Sequence, residues 1–563
     1  MWIISLLLAG LVSSNERLLR EGYSRRLTKL AAEEYTLRLD ENLEHSVVYF
    51  PHINEVSTRM IEKMTKKLES NEKIFDFDTS TITCAWGEGP DYFRFVPQYL
   101  ASVFPGKGSV VFNNHCYKEI RASIAEISQS SVEFEIESII PSGLCYDTYF
   151  VSILNRVHIF VIDFLGTKKI TFANLTSSEF FDVQANGVRI FTFCDGIEDL
   201  VIDLLMTVEL FAGGFGLDPL LPIIGSHTTE YMEKSNVKFI SKAMNYTMEP
   251  RTTNKVNIQE TDIHSGDFLA VLRLDGLDEI IMWGTGGRVG HSTMALWVED
   301  ENGVRELYIV ESQAGWYWPR SGLQMNKFSQ WIIWAENASF NVAVLPLKDE
   351  LRQIFDEKAV YDWFKTVEGM PYGYHNFIFG WIDTVDQNLP PLLPSQFLTV
   401  GFSLVEDLIP SAIDSIYNQA MNKRLGTFGL RIPDLQVVAS QQGRTLLEVQ
   451  TDVEIDGWWY SDGYSYVCSS FVLAMYKQAG ILGSMTIQGT ELSPKDVYSL
   501  SIFNTGAILP EVCTAADPTL PYCQILGKYK IDLGSDYGSI FPYSNMDQNC
   551  PSVAPNYARP SGC

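Results

Sequence analysis

The sequence predicts an α+β protein in which a β-rich, disulfide-stapled unit precedes an antiparallel sheet that carries a cysteine-bearing helix. Three observations lead there. Short apolar runs alternate with turn residues from about Val47 to Thr247, as in Val132-Glu133-Phe134-Glu135-Ile136 and His158-Ile159-Phe160-Val161-Ile162. A hairpin pattern spans His291 to Gln313, and a helical apolar stripe starts at Cys468. The nine cysteines fall into two groups of four, with Cys468 alone between them.

The chain opens like a secretory signal, residues 1–14: an apolar run from Ile3 to Val12, then Ser13-Ser14 as a cleavage site. Three acceptor sequons, Asn174-Leu175-Thr176, Asn245-Tyr246-Thr247 and Asn337-Ala338-Ser339, agree with export to a secreted or lumenal (lysosome- or vacuole-like) location. Residues 15–40 form a basic amphipathic pattern that reads as a surface helix. Residues 15–250 are then the β-rich domain, its role not legible, stapled by Cys84, Cys116, Cys145 and Cys194. Pro250 to Asp262 is polar and aperiodic, as a linker would be. Residues 251–500 form the second domain, which holds ten of the twelve Trp and so has its own core or cleft. Within it, about 388–431 reads as a Pro-interrupted insertion or lid, and its apolar stretch Leu392 to Ile413 is a candidate for peripheral membrane contact. Residues 501–563 read as an irregular tail cross-linked through Cys513, Cys523, Cys550 and Cys563. Each cysteine set leaves three connectivities open.

Composition narrows the function. Acidic side chains outnumber basic ones 69 to 42, a net charge of −27, and no Lys/Arg cluster stands out. That disfavours nucleic acid as a partner, because phosphate binding needs a basic face. It also disfavours a purely electrostatic hold on anionic lipid. No Cys-x-x-Cys or His-x-x-x-His occurs, so no zinc pattern and no cofactor are expected. Nothing in the sequence indicates an oligomeric state.

The chemistry concentrates in three segments. Gly284-Thr285-Gly286-Gly287-Arg288-Val289-Gly290 leads into His291, and His291, Thr293, Ala295 and Trp297 share one strand face. A three-residue turn Glu301-Asn302-Gly303, with Gly303 left-handed, would set His291 opposite Gln313 and leave Glu311 as its diagonal neighbour on the same face. An even-numbered turn would put His291 on the wrong face. The second segment is the helix from Cys468, closed by Gly480 and carrying Phe471, Val472, Met475 and Ala479 on the same stripe. Its N-terminal N–H groups favour a thiolate, and the small Ser469 lets a substrate carbonyl approach them as an oxyanion hole. The third is Gly369-Met370-Pro371-Tyr372-Gly373-Tyr374-His375, a turn suited to a cleft wall. Taken singly, such a Cys or His is more often structural. The odd thiol and the joint pattern favour a cysteine enzyme, with Cys194 as rival nucleophile and His375 as rival base. The bland role for Glu311 is a strand-end ion pair with Arg288 or Arg320.

The order Gly266-Asp267, Gly290-His291, a strand ending in Glu311, Pro371-Tyr372, Tyr466-Val467-Cys468-Ser469 and Ala479-Gly480-Ile481 resembles the circularly permuted NlpC/P60 papain-like group. It is similar to YiiX-type proteins and, more remotely, to lecithin:retinol acyltransferase. The resemblance covers about Ser265 to Leu482, with an unusually long stretch between the Pro-Tyr turn and the cysteine. It implies a permuted papain-like domain with Cys468 as nucleophile, His291 as base and Glu311, or in reserve Gln313, as third member. Tyr372, Tyr466 and Ser469 are the expected substrate contacts. The leading expectation is a secreted cysteine peptidase or amidase acting on peptide or peptidoglycan-like amides. The alternatives are a thiol acyltransferase or lipid-amide hydrolase on acyl-amide substrates, and a non-catalytic binding protein.

Overall fold

The computed structural model describes residues 98–544, except 114–116, 142–146, 154–155, 163–165, 176–178, 181–182, 185–186, 193–226, 245, 300–301, 314–317, 378–398, 400–401, 403–405, 407–409, 445, 451 and 453–464. The signal segment, residues 15–40, Glu198 to Phe211, Asn245 and the cysteines at 84, 116, 145, 194, 550 and 563 lie outside the described residues. So does most of Leu392 to Ile413.

The first unit is built of eight strands: β1 (Gln98–Val103), β2 (Val110–Phe112), β3 (Tyr117–Ile127), β4 (Ser131–Pro141), β5 (Asp147–Ile153), β6 (Arg156–Ile162), β7 (Gly166–Ala173) and β8 (Val188–Thr192). They form two antiparallel sheets, in the orders β1-β8-β5-β6 and β2-β3-β4-β7. Alternation explains how the sheets pack. Val132, Phe134 and Ile136 of β4 turn inward and meet Tyr149, Val151 and Ile153 of β5 in one shared core. Glu133 and Glu135, between them, turn outward and bind Lys169 of β7. Asn174 follows β7 in an exposed turn at φ 54°, open to modification.

The second unit begins with α1 (Glu230–Met244) and continues through β9 (Phe268–Leu272), α2 (Leu277–Thr285), β10 (His291–Glu299), β11 (Arg305–Gln313), β12 (Gly322–Lys327), α3 (Phe328–Asn337), β13 (Asn341–Leu345) and α4 (Glu357–Val367). There follow α5 (Gln419–Leu425), α6 (Ile432–Gln441), α7 (Cys468–Gln478), α8 (Pro494–Ser499), α9 (Glu511–Ala516) and β14 (Cys523–Leu526). Six antiparallel strands run in the order β12-β11-β10-β9-β13-β14. Both faces are covered. Phe268, Ala270, Met294, Leu296 and Val310 pack with Phe471, Val472 and Met475 of α7. Leu269, Val271, Ala295, Leu307 and Ile309 pack with Phe328, Trp331 and Ala335 of α3. The central strands therefore read as continuous apolar runs.

Several boundaries differ from the sequence expectation. The supposed linker pairs with the far end of the chain: Arg251 N–H donates to the Lys528 carbonyl and Val256 N–H to the Ile525 carbonyl. The Arg251 guanidinium is buried against Asp517 at 2.6 Å. The supposed irregular tail supplies β14, the sixth strand, and the disulfide Cys513–Cys523 ties α9 to it. Helix α1 belongs to the second unit, since Met232, Phe239 and Ile240 share a core with Leu274, Met282 and Trp283. The Gly-rich run that leads into His291 begins inside α2, which Gly286 ends in a left-handed C-cap. The described part of the insertion is helical, and its Ile413, Tyr417, Met421 and Leu425 are buried in the same core. No helix among the described residues is long and apolar enough to cross a membrane.

Candidate active site

The hairpin decides where the histidine goes. Gly303 has φ 78°, and pairing runs from Glu299↔Arg305 to Thr293↔Glu311, the register a three-residue turn requires. His291, the first residue of β10, thus stands diagonal to Glu311. Its Nε2–H donates to Glu311 Oε2 at 3.1 Å. A carboxylate can only accept, so the contact assigns the Nε2 proton and leaves Nδ1 for the other side of the ring.

That other side meets the cysteine. Helix α7 begins at Cys468, with Val467 as an N-cap that supplies no side-chain hydrogen bond. The Ser470 hydroxyl donates to the Val467 carbonyl rather than capping an N–H. Phe471, Val472 and Met475 are fully buried, which pins the helix by its stripe and holds Cys468 in its first turn. The thiol, the free cysteine among the described residues, hydrogen-bonds with the His291 side chain. Burial opposes charge on the ring, but the hydrogen bonds to Cys468 and Glu311 outweigh it and push His291 up to about 10.

Glu311 is completely buried, and both of its oxygens are used. Oε2 takes the histidine, and Oε1 accepts from Trp331 Nε1 at 3.0 Å. Trp331 is buried on α3 and braced by the ring of Trp318 at 6.0 Å. The neighbours that sequence suggested for Glu311 are engaged elsewhere. Arg288 lies over the Tyr246 ring, and Arg320 donates to Asn326 and to the Met325 carbonyl.

The Pro-Tyr turn supplies the second wall of the thiol. Tyr372 bridges in parallel to Tyr466, and Gly373 N–H donates to the Tyr466 carbonyl at 2.8 Å. A Cβ at Gly373 would lie 2.7 Å from the Tyr466 carbonyl carbon, so only glycine allows this approach. The same carbonyl accepts from the Ser312 hydroxyl at 2.8 Å, which ties the turn and the cysteine segment to β11. Tyr372 hydrogen-bonds with Cys468; burial, first, and then the sulfur hold its phenol well above the usual range. Tyr372, Val467 and Cys468 form a small apolar cluster with Tyr374 against it.

Of the residues singled out from sequence, Cys468, His291, Glu311 and Tyr372 come together. Ser469 is buried next to Cys468 in the first turn. Gln313 ends β11 opposite Gly322 and is buried, while Glu311 makes the histidine contact. Tyr466 does not line a cleft with its ring, which packs in the core against Trp363 and Phe471. Its contribution is its carbonyl. The histidine that meets Cys468 is His291, while His375 is buried in the turn of helix Tyr374–Phe377. Cys194 lies outside the described residues. Sequence reasoning missed Trp331, whose only signal was its place in an apolar helix pattern twenty residues beyond Glu311. Among the described residues no group of three or more His, Cys, Asp or Glu is arranged to hold a metal ion. Comparison with protein-family models, curated proteins and solved structures gave no match.

Proposed function

We propose that the protein is a cysteine-dependent hydrolase of amide bonds on a permuted papain-like domain, working through Cys468, His291 and Glu311. The observation that carries this reading is one continuous relay: a thiol at a helix N-terminus, an imidazole bonded to it, and a buried carboxylate that fixes the ring tautomer.

The chemistry follows from those contacts. His291 Nδ1 takes the thiol proton, and the Cys468 sulfur attacks the carbonyl carbon of the amide. The oxyanion that forms accepts from the uncapped first-turn N–H groups of α7. The imidazolium returns its proton to the departing amine, leaving a thioester. Water, deprotonated by the same imidazole, attacks the thioester and releases the acid and the thiol. Glu311 accepts from the imidazolium and stabilises it, while Trp331 keeps the carboxylate from turning away. The Tyr372 hydroxyl donates to the sulfur and stabilises the thiolate. Peptide and peptidoglycan-like amides are the first substrates to test, with N-acyl amides as the second class. Export of the chain through its signal segment belongs to the same proposal.

The test is to incubate the full chain with both substrate classes and look by mass spectrometry for an acyl group on the peptide that contains Cys468. Turnover with that adduct is expected, and Cys468→Ala should lose both. Turnover that survives Cys468→Ala, or an adduct on another cysteine, would sink the reading. Product analysis with an added amine separates hydrolysis from acyl transfer.

A further inference from the structure

Next to the histidine, the turn from β9 into α2 buries three carboxylates, Asp275, Asp278 and Glu279. Among the described residues one guanidinium, Arg273, faces them. Its Nη1 donates to Asp275 Oδ2 at 3.2 Å and its Nε to the Ala338 carbonyl at 2.9 Å. The other partners are backbone N–H groups: Leu277 to Asp275 Oδ1 at 3.0 Å, Arg273 to Asp278 Oδ2 at 2.6 Å, and Gly276 to Glu279 Oε2 at 2.5 Å. Glu279 Oε1 is buried with no partner. Among the described side chains of α1, the neutral Asn236 reaches this turn and donates to the Leu274 carbonyl at 3.3 Å. Beyond Arg273, the groups that Asp278 faces electrostatically are Asp275, Glu279, His291 and Tyr372.

The turn is joined mechanically to the active site. Gly290 packs so tightly on Asp278 that a Cβ there would lie 2.4 Å from the Asp278 Cα. Gly290 immediately precedes His291. Outward movement of Asp278 therefore releases the residue that fixes where β10 begins.

Three buried carboxylates facing Arg273, with the His291 ring beside Asp278 alone, leave net negative charge if all ionise, which an interior does not tolerate without protons. Burial, reinforced by Asp275, pushes Asp278 up to about 8. Burial and then the two aspartates hold Glu279 well above the usual carboxylate range. Asp275 is raised by burial, with Arg273 opposing.

We propose that this cluster is a proton-held latch: while its excess carboxylates are protonated, the β9–α2 turn stays packed on Gly290, and their ionisation opens the turn and draws His291 away from Cys468. The closed state binds more protons than the open one, so opening rises with pH, up to about tenfold per pH unit for each proton released. The site is then built for an acidic compartment and shuts down as pH rises. This regulation rests on the proposed Cys468–His291 chemistry for its effect on rate, but the latch can be read without it.

Hydrogen exchange over residues 273–292 in full-length Cys468→Ala, corrected for intrinsic rates, provides that reading. Protection should be high at pH 5 and fall steeply toward pH 9, while β13 stays protected. Glu279→Gln removes the unpartnered anion with little change of shape and should flatten the fall, and Asp278→Asn should do so more strongly. Should Asp278→Asn fail to fold, Glu279→Gln alone decides. Equal protection at both pH values, or an undiminished fall in Glu279→Gln, overturns the latch. In the active chain, Glu279→Gln should move the alkaline loss of activity upward in pH. If the chain hydrolyses no amide at any pH, the proposed function fails while the exchange result still decides the latch.

Discussion

The two units are both built on antiparallel sheets, yet the outer face of the β2-β3-β4-β7 sheet and the sheet of the second unit treat charge in opposite ways. In the β4 strand of the first unit, glutamates alternate outward and meet Lys169 in solvent. In the second unit the sheet is covered on both faces, and Asp267, Arg273, His291 and Glu311 are all buried within or beside it. The β4 face that carries Glu133 and Glu135 leaves its ions in contact with water, and an exposed pair contributes little. A sheet between α3 and α7 supplies a low-dielectric layer in which a hydrogen bond to a charge is strong and its loss is costly. Asp267 illustrates the structural use of that layer. Its carboxylate takes the Leu347 N–H at 3.0 Å and Arg352 at 2.7 Å, which locks the start of β9. Glu311, under the proposed function, would illustrate a chemical use.

The sharpest way to break this comparison is to remove function from the second unit without unfolding it. Cys468→Ala should lower amide turnover by roughly 10⁴-fold or more, with an unchanged circular dichroism spectrum, measured on the substrate identified by adduct formation. Glu311→Gln should come next, at roughly 10²- to 10⁴-fold in kcat with KM nearly constant. The reason is tautomeric. If the new amide oxygen accepts from Trp331, its NH2 group faces His291 Nε2 and forces the proton to Nδ1, where the ring cannot act as base toward the thiol. The opposite amide orientation sets NH2 against the Trp331 N–H. A variant with full activity would mean that Glu311 is a packing residue.

How much of this was legible in the sequence depends on distance along the chain. The His291–Glu311 relation could be read because one short turn sets it: Gly303 takes the left-handed conformation, and parity does the rest. The Cys468 helix could be read from its stripe and from Gly480 just beyond its end, at φ 76°. Trp331 could not, because nothing local distinguishes a core tryptophan from one whose N–H meets a carboxylate on a neighbouring strand. The pairing of 250–256 with 525–529 joins segments more than 260 residues apart, and their polar composition looked like linker and tail. The Asp275-Gly276-Leu277-Asp278-Glu279 run carries no sign of burial in its sequence. Its burial comes from α1 and from the close packing of Gly290, which no period in the sequence records.

Smaller perturbations refine the contrast. Trp331→Phe keeps a smaller aromatic ring but removes the indole N–H and leaves Glu311 Oε1 without its donor, and should cost about 1–3 kcal/mol of stability with about a tenfold fall in kcat. Its diagnostic readout is the pH dependence of Cys468 alkylation, which should shift relative to the parent if Trp331 acts through the Glu311–His291 pair. Stability of the two units should also diverge with pH. His291 is raised from 6.5 to about 10 and Asp278 from 3.8 to about 8, so each group favours the folded state below its ordinary value. That favour drains away as pH rises through the folded values. Thermal melting should therefore weaken steadily between about pH 5 and 10 in the second unit, read by hydrogen exchange at β10, with the β4–β5 core changing much less. A second unit most stable at pH 9 would contradict the sign of both shifts. The smallest effect belongs to Lys169→Ala, which removes the ladder on β4 and should leave both amide turnover and the alkylation profile of Cys468 unchanged. A loss of turnover in that variant would mean that the outer face of β4 takes part in the reaction, so that the two units no longer divide structure from chemistry.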